Sequence, residues 1–392
     1  MVLRALAIFV FMKKSLKAVF FHARKNSLPH ILYRDCSLFG GRRKEGVPMK
    51  KLTVVVLFGG QSSEYEVSCV WAADMIAALD EEKYDVLPVG ITKDGNWRIC
   101  HGSVDTIREG RWEKYSVDAI LSPDASRKSL LKLVGGKYKE IPVDVAIPAL
   151  HGAGGAVQGL LEMAKIPYVG CGVLPSALAM NRICIRRIAR AEKIPMAKFL
   201  WCDREALAEK KEKIMRQAEK KLGYPCFVKP ANASASVGAS KAKNREELEK
   251  ALCYAAKYDR KVIMEEAIDG GRFACAMLKK GKLHISSIGE IVTRAESCDD
   301  AKKDAHIIIP AKVPEEALAQ MRKISEKMYH AVDGKGIARV DFFMEKSGRV
   351  LFDEFNTMPD AMYPMAWEEE GMSKTEWMDI LISLALEGDI HG

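Results

Sequence analysis

The chain has 392 residues, 48% of them hydrophobic, enough to bury a core divided over two or three domains. Its apolar runs stop short of the roughly 18 residues that cross a bilayer, and its ten cysteines show no CxxC pair and no Cys/His cluster of zinc spacing. Neither a membrane span nor a thiolate-metal scaffold is expected, and the cysteines read as reduced thiols of a cytoplasmic protein. The net charge of +9 is concentrated, because residues 1–48 carry +8 of it; the remaining body is nearly neutral and offers no basic field for nucleic acid.

The basic segment 1–48 reads as an extension. Ala5–Met12 is a short apolar run between Arg4 and Lys13-Lys14, the pattern of a signal-peptide core or a transit segment. No small-x-small cleavage site follows it, however. Met49 opens the run Met-Lys-Lys-Leu-Thr-Val-Val-Val-Leu, and the codons of Lys44-Glu45-Gly46 can spell a purine-rich ribosome-binding sequence. Met49 is therefore favoured as the natural start, with a targeting segment and a functional arm as the alternatives.

Leu52–Phe58 is a continuous β-branched run ending at Gly59-Gly60, as expected of a buried parallel strand. Ser63 and Glu66 have capping-box spacing and predict a helix to about Leu79. Tyr84–Ile91 and Asp144–Leu150 read as further strands, the second ending at His151-Gly152. A helix is expected from Gly159, and a short strand over Pro167–Gly170. The alternation of strands and helices predicts a doubly wound α/β sheet.

Ser176 is expected to cap a helix running to about Glu192, on which Arg182, Arg186 and Arg190 recur every four residues. That stripe fits a solvated face or a site. A charged helix follows over Asp203–Leu222. Tyr224–Pro230 is then a strand with Lys229 near its end, leading into Ala231–Gly238, a loop of small residues. Small residues let backbone N–H groups approach phosphate oxygens, and a lysine adds a point charge.

Near the C-terminus, Ile337–Met344 and Val350–Asn356 read as a hairpin closed by Glu345–Gly348. Arg339 and Asp341 share one face of the first strand, Glu354 and Asn356 one face of the second. Val340, Phe342, Leu351 and Phe355 are expected to point away. An arginine, two carboxylates and an amide on one surface form an oxygen-rich set suited to Mg²⁺. The plain alternative is a salt bridge across a surface hairpin.

In this order the motifs resemble the D-alanine–D-alanine ligase family, a branch of the ATP-grasp superfamily. The likeness rests on Leu57–Ser68, Ala149–Gly152, Gln158–Glu162, Ile166–Gly170, Ser176–Met180, Phe227–Pro230, Glu265-Glu266, Gly289–Ile291, Ala338–Phe343 and Glu354–Pro359. It runs from Met49 to about Glu387 and is specific as a set. It implies an N-terminal substrate-binding α/β domain over 49–175. A two-lobed ATP-grasp domain with a mixed or antiparallel sheet would follow over 176–390, its lobes dividing near 266–267.

The implied activity is ATP-dependent joining of two D-alanines through an acylphosphate, for peptidoglycan precursors, with Mg²⁺ or Mn²⁺. The partners would be small molecules, with room for a homodimer. Carried over residue by residue, Lys229 would contact ATP phosphates, with Arg182 and Lys302 matching family lysines. Ser236 would stand in the phosphate loop. Glu265, Glu266 and Ile268 would hold adenine and ribose, and Asp341, Glu354 and Asn356 the metal. Arg339 would stabilise the oxyanion and Glu64 orient the first amine, while His151 and Tyr363 would line the substrate site.

The sequence also departs from the family pattern. The loop after His151-Gly152 is some three residues short. The phosphate loop reads Ser234-Ala235-Ser236 where Gly-Ser-Ser is usual. Arg182 and Arg186 stand for lysines, and Arg272 for a glutamate near the ribose. Glu296–Asp299 replaces an aromatic lid, and the segment from Asp360 is about four residues shorter. Two alternatives to the full activity follow: a paralogue that binds nucleotide without efficient ligation, or a ligase with a different second substrate.

Overall fold

Val54–Phe58 cannot be solvated on either face, and in the computed structural model they are wholly buried in β1 (Leu52–Gly59), an inner strand of the first of three sheets. The structure describes residues 50–150, 152, 154–232, 237–292, 306–358 and 362–388. In the first sheet β1 is followed by helix α1 (Tyr65–Ala78), β2 (Tyr84–Ile91), β3 (Trp97–Cys100), the short helix α2 (Val104–Arg108), β4 (Ser116–Leu121), β5 (Ser129–Val134), β6 (Lys137–Pro142), β7 (Val145–Pro148) and helix α3 (Ala156–Met163). The strand order is β6-β5-β4-β3-β2-β1-β7. Only β2, β1 and β7 run parallel, and β2 through β6 form an antiparallel meander. The sheet is thus mixed, with a parallel core narrower than alternation alone suggests.

Several local expectations are corrected. Helix α1 is not opened by Ser63: its N-cap is Glu64, without a side-chain cap bond, and Glu66 instead accepts from Lys93 at 2.6 Å. The segment 167–170 makes a single bridge, Tyr168 to Ala146, and no strand. The helix expected from Ser176 to Glu192 is two, α4 (Val173–Met180) and α5 (Arg182–Ala191). Asn181 divides them because its side chain accepts from the N–H groups of Ile183 and Cys184, a stronger start than any interior residue provides.

The second sheet holds β8 (Phe199–Asp203), β9 (Cys226–Pro230), β10 (Ser240–Ala242) and β11 (Lys261–Glu266), in the order β10-β9-β11-β8, all antiparallel. Helices α6 (Arg204–Leu222) and α7 (Arg245–Ala255) supply its core through Leu207, Met215, Leu248 and Leu252.

The third sheet comprises β12 (Gly270–Lys280), β13 (Lys282–Ile285), β14 (Gly289–Val292), β15 (His306–Ile308), β16 (Ile337–Glu345) and β17 (Val350–Asn356). Its order is β15-β14-β12-β16-β17, with β13 beside β12. Helix α8 (Glu315–Ala331) packs Met321, Ile324 and Met328 against Val340, Phe342 and Phe352. Helices α9 (Met362–Glu368) and α10 (Lys374–Leu386) bury Trp367, Trp377 and Leu381 in the core of the first sheet, and a capping box of Ser373 and Glu376 starts α10.

The β16–β17 hairpin carries a bulge. Asp341 pairs with Glu354 but Phe342 with Phe352, so Asp353 is the extra residue. Because of it, Leu351 stands opposite Phe343, a residue of the Arg339–Asp341 side, and does not share the Val340–Phe355 face as regular alternation predicts. Phe352 takes that core position instead.

Candidate active site

Two loops leave the parallel core side by side. β1 lies between β2 and β7, so the chain winds outward in opposite directions from β1, and a crevice is expected beyond the carboxyl ends of β1 and β7. Buried Ser68 ties the loops together. Its Oγ accepts from Gly59 N at 2.8 Å and donates to Ala149 O. A side chain at Gly59 has no room, because a Cβ there would meet Ile91 O at 2.3 Å. Glu64 sits at the start of α1 beside this crevice, half-buried.

The end of β17 abuts the first layer. Gln158 Nε2 donates to Met358 Sδ at 3.5 Å, and Met358 N donates to Asn356 Oδ1 at 3.0 Å. Arg339 stands directly opposite Asn356, and Asp341 directly opposite Glu354. The hairpin therefore gathers Arg339, Asp341, Glu354 and Asn356 on one face, as their spacing predicts. Arg339 holds Asp341 by a fork, Nε to Oδ1 at 2.7 Å and an Nη to Oδ2 at 2.9 Å. Arg182 reaches Glu354 at 3.6 Å and donates to Pro230 O at 3.3 Å, linking the hairpin to the strand that bears Lys229.

Beside these residues runs an ionic network centred on buried Arg186, Glu265 and Asp353. Lys229 pairs with Glu265 at 2.9 Å, and Arg186 Nε bonds the other oxygen of Glu265. Arg186 also donates to Asp353 O at 2.7 Å and Asp353 Oδ1 at 3.3 Å. Arg272 lies 3.9 Å from Asp353 Oδ2, with its guanidinium 5.7 Å from the Phe343 ring. Five cations, Arg182, Arg186, Lys229, Arg272 and Arg339, thus face four carboxylates, Glu265, Asp341, Asp353 and Glu354.

The electrostatics follow from burial and pairing. Burial opposes the charged form of Glu265, yet Arg186 and then Lys229 hold its carboxyl well below the usual carboxylate range. Burial likewise opposes the charge on Arg186, but Glu265 and Asp353 keep it firmly protonated. Asp353 goes the other way: burial, then the neighbouring charge of Glu354, pushes its carboxyl up against the pull of Lys229, Arg186 and Arg272.

The remaining sequence-predicted residues are placed as follows. Glu266 is bonded by the N–H and Nζ of Lys198 at 2.7 and 2.9 Å. Ile268 is half-buried just past β11. His151, Ser236 and Lys302 lie outside the described residues, as does the side chain of Tyr363. The arginine stripe on α5 is not a solvated face: Arg186 is buried, Arg182 is mostly covered, and exposed Arg190 lies over the Phe199 ring at 4.5 Å. Sequence reasoning did not place Arg186 and Asp353 in this ionic network. The four-residue recurrence on α5 was a signal for the first; nothing in the sequence marks the bulge that turns the second.

Asp341, Glu354 and Asn356 make a hard oxygen set that fits a small divalent cation. Lys229, at the end of β9 and before the small-residue loop, fits phosphate.

Comparison with known proteins identifies the family. Residues 53–171 match the D-ala D-ala ligase N-terminus family and residues 188–383 the D-ala D-ala ligase C-terminus family. The chain is 42% identical over 362 residues to the D-alanine–D-alanine ligase of Acetivibrio thermocellus, covering 86% of this chain and 96% of that one. It is 40% identical over 351 residues to the D-alanine–D-alanine ligase of Caldicellulosiruptor bescii, with the same coverage. Among solved structures it is similar to the VanG D-Ala:D-Ser ligase from Enterococcus faecalis, with a TM-score of 0.76 and 31% identity, covering 86% of this chain and 100% of that one. The D-alanine–D-alanine ligase from Coxiella burnetii gives a TM-score of 0.74 and 28% identity, over 86% and 95%.

Proposed function

This chain belongs to the D-alanine–D-alanine ligase family, and on that premise we propose how its residues carry out ATP-dependent joining of two D-alanines for peptidoglycan synthesis. The observation that carries the reading is the hairpin face of Arg339, Asp341, Glu354 and Asn356, joined through Arg182 to the strand of Lys229. In the reaction the first carboxylate takes the γ-phosphoryl group of ATP, giving an acylphosphate and ADP. The second amine then attacks the acyl carbon, loses a proton and expels phosphate.

Negative charge grows first on the transferred phosphoryl oxygens and then on a tetrahedral oxyanion. Lys229 and Arg182 are assigned to the phosphates and Arg339 to the oxyanion, where fixed cations in a water-poor site lower the barrier most. We assign the metal, Mg²⁺ in our reading, to Asp341, Glu354 and Asn356; when bound it offsets phosphate charge. Glu64 is assigned to the first amine, and His151, Ser236, Lys302 and Tyr363 keep the roles the resemblance implies. Glu265 and Glu266 are already engaged by cations, so their part is to fix the nucleotide cleft, with Ile268 against the base. The division at about residues 175 and 266 is the one we propose, with substrate binding in the first part and nucleotide between the other two. Among the described residues no helix is long and apolar enough to cross a membrane. We place the activity in the cytoplasm, where ATP is available.

The test is phosphate release from ATP with D-alanine, D-serine and D-lactate supplied singly and in pairs, with the products identified. D-Alanine-dependent release together with D-alanyl-D-alanine supports the reading. ATP binding without D-alanine-dependent turnover would instead establish a nucleotide-binding paralogue.

A further inference from the structure

We propose that Arg272 is a phosphate-binding residue of the nucleotide site, an inference that rests on the nucleotide reading above. Arg272 lies on β12 directly opposite Phe343, which alternates with Asp341 and Arg339 along β16, so it belongs to the face of the hairpin that carries the site. Its side chain is partly exposed. The guanidinium lies near the Phe343 ring, 5.7 Å from the centroid, and 3.9 Å from Asp353 Oδ2. Asp353 is also held by Arg186, whose other partner, Glu265, pairs with Lys229. Lys229 and Arg272 therefore stand at the two ends of one chain of pairs, Lys229–Glu265–Arg186–Asp353–Arg272.

Accessibility separates the cations. The Arg186 side chain is 3% exposed and cannot reach a ligand, while Arg272 is 38% and Lys229 24% exposed. At 3.9 Å the contact of Arg272 with Asp353 is longer than a hydrogen bond and is released cheaply. Asp353 is not stranded when that happens, because Arg186 keeps its bond to Oδ1. The chemistry also selects the ligand part. A guanidinium only donates, and its planar fork matches phosphate oxygens in pairs, so an anion gains far more from it than a ribose hydroxyl does. A polyphosphate that draws Lys229 from Glu265 and Arg272 from Asp353 would leave both acids held by Arg186.

The experiment is calorimetric titration of the full chain and of Arg272→Gln with ATP, tripolyphosphate and adenosine, at constant free Mg²⁺ and without D-alanine. Loss of a charge-assisted hydrogen bond should weaken ATP and tripolyphosphate by about tenfold or more and leave adenosine unchanged. Arg272→Lys, which keeps the charge but not the fork, should fall between, and Arg272→Glu should bind both phosphate ligands most weakly. The proposal is overturned if adenosine weakens as much as ATP, or if Arg272→Glu binds ATP at least as tightly as the unaltered chain. If the unaltered chain binds neither ATP nor tripolyphosphate, the nucleotide reading itself fails and this assignment with it.

Discussion

Replacing Arg186 by Met should be among the most damaging single substitutions in the chain. The side chain is buried and makes three bonds: to Glu265, to the carbonyl of Asp353 at 2.7 Å and to its carboxylate at 3.3 Å. Methionine fills much of the volume but satisfies none of them. Among the described residues, Glu265 would keep only Lys229, and Asp353 only the 3.9 Å contact with Arg272. Removing one partner of a buried ion pair strands the other charge, at a cost of roughly 3–5 kcal/mol, and the two acids here make the upper half of that range the expected outcome. Urea unfolding at pH 7 measures it. The pH dependence gives an independent check. The folded-state pKa of Glu265 is depressed, so its stabilisation is complete above the ordinary carboxylate range and lost only as pH falls well below it. Without Arg186, burial of Glu265 is opposed by Lys229 alone, so the acid unfolding transition should move to higher pH. In a cycle of Arg186→Met with Glu265→Gln, the double variant should be more stable than the sum of the single losses implies, by at least about 1 kcal/mol. Loss of under about 1 kcal/mol for Arg186→Met, or strict additivity in the cycle, would refute the view that this arginine binds the second and third sheets together.

Three further outcomes are expected. Asp341→Asn and Glu354→Gln preserve shape while removing charge from the hairpin face, and each should reduce turnover of the folded protein by about 10²-fold or more; near-normal rates in both would remove the metal assignment. Ser68→Ala leaves the Gly59 N–H and the Ala149 carbonyl buried without their shared hydroxyl, so stability should fall by roughly 1–3 kcal/mol and the Michaelis constant for D-alanine should rise. With D-alanine as the only amino acid, product analysis should show ATP hydrolysis uncoupled from dipeptide formation and a high Michaelis constant for the second D-alanine. Asp360 stands where glycine is usual, and an ionised carboxylate cannot donate to the acceptor's carboxylate. Tight coupling with D-alanyl-D-alanine as sole product would overturn that expectation.

What the sequence made legible was local and strongly patterned. β1 could be read with a small boundary error because a buried β-branched run has few alternatives to a strand, β17 because it returns from the turn at Glu345–Gly348, and the sharing of one face by Arg339 and Asp341 follows from the period of two. The antiparallel meander from β3 to β6 was not legible: its strands are short, β6 is largely exposed, and half-polar edges give no strong pattern. The break at Asn181 was missed because Ala177–Met180 and Ile183–Ile188 are both good helix stretches, and only the cap bonds of Asn181 divide them. The recurrence of Arg182, Arg186 and Arg190 showed that they share a helix face, but periodicity says nothing of what that face meets. The answer depends on Glu265 and Asp353, which lie far along the chain.

The bulge at Asp353 gives β17 a parity. Before it, even-numbered Phe352 faces the core and odd-numbered Leu351 the opposite side; after it, odd-numbered Phe355 faces the core while Glu354 and Asn356 lie outward. The two halves of the strand are read in opposite frames, and Asp353 is the frame shift between them. Pairing that one residue into a regular ladder, instead of leaving it as the extra residue, would force a choice. Either Glu354 and Asn356 keep their outward positions and Phe352 is extruded, or Phe352 stays in the core and Glu354 is driven among Val340, Phe342 and Met321. In this strand the bulge is therefore constrained more tightly than composition: single substitutions at Leu351 alter packing, whereas flattening the bulge at Asp353 exchanges the core with the site.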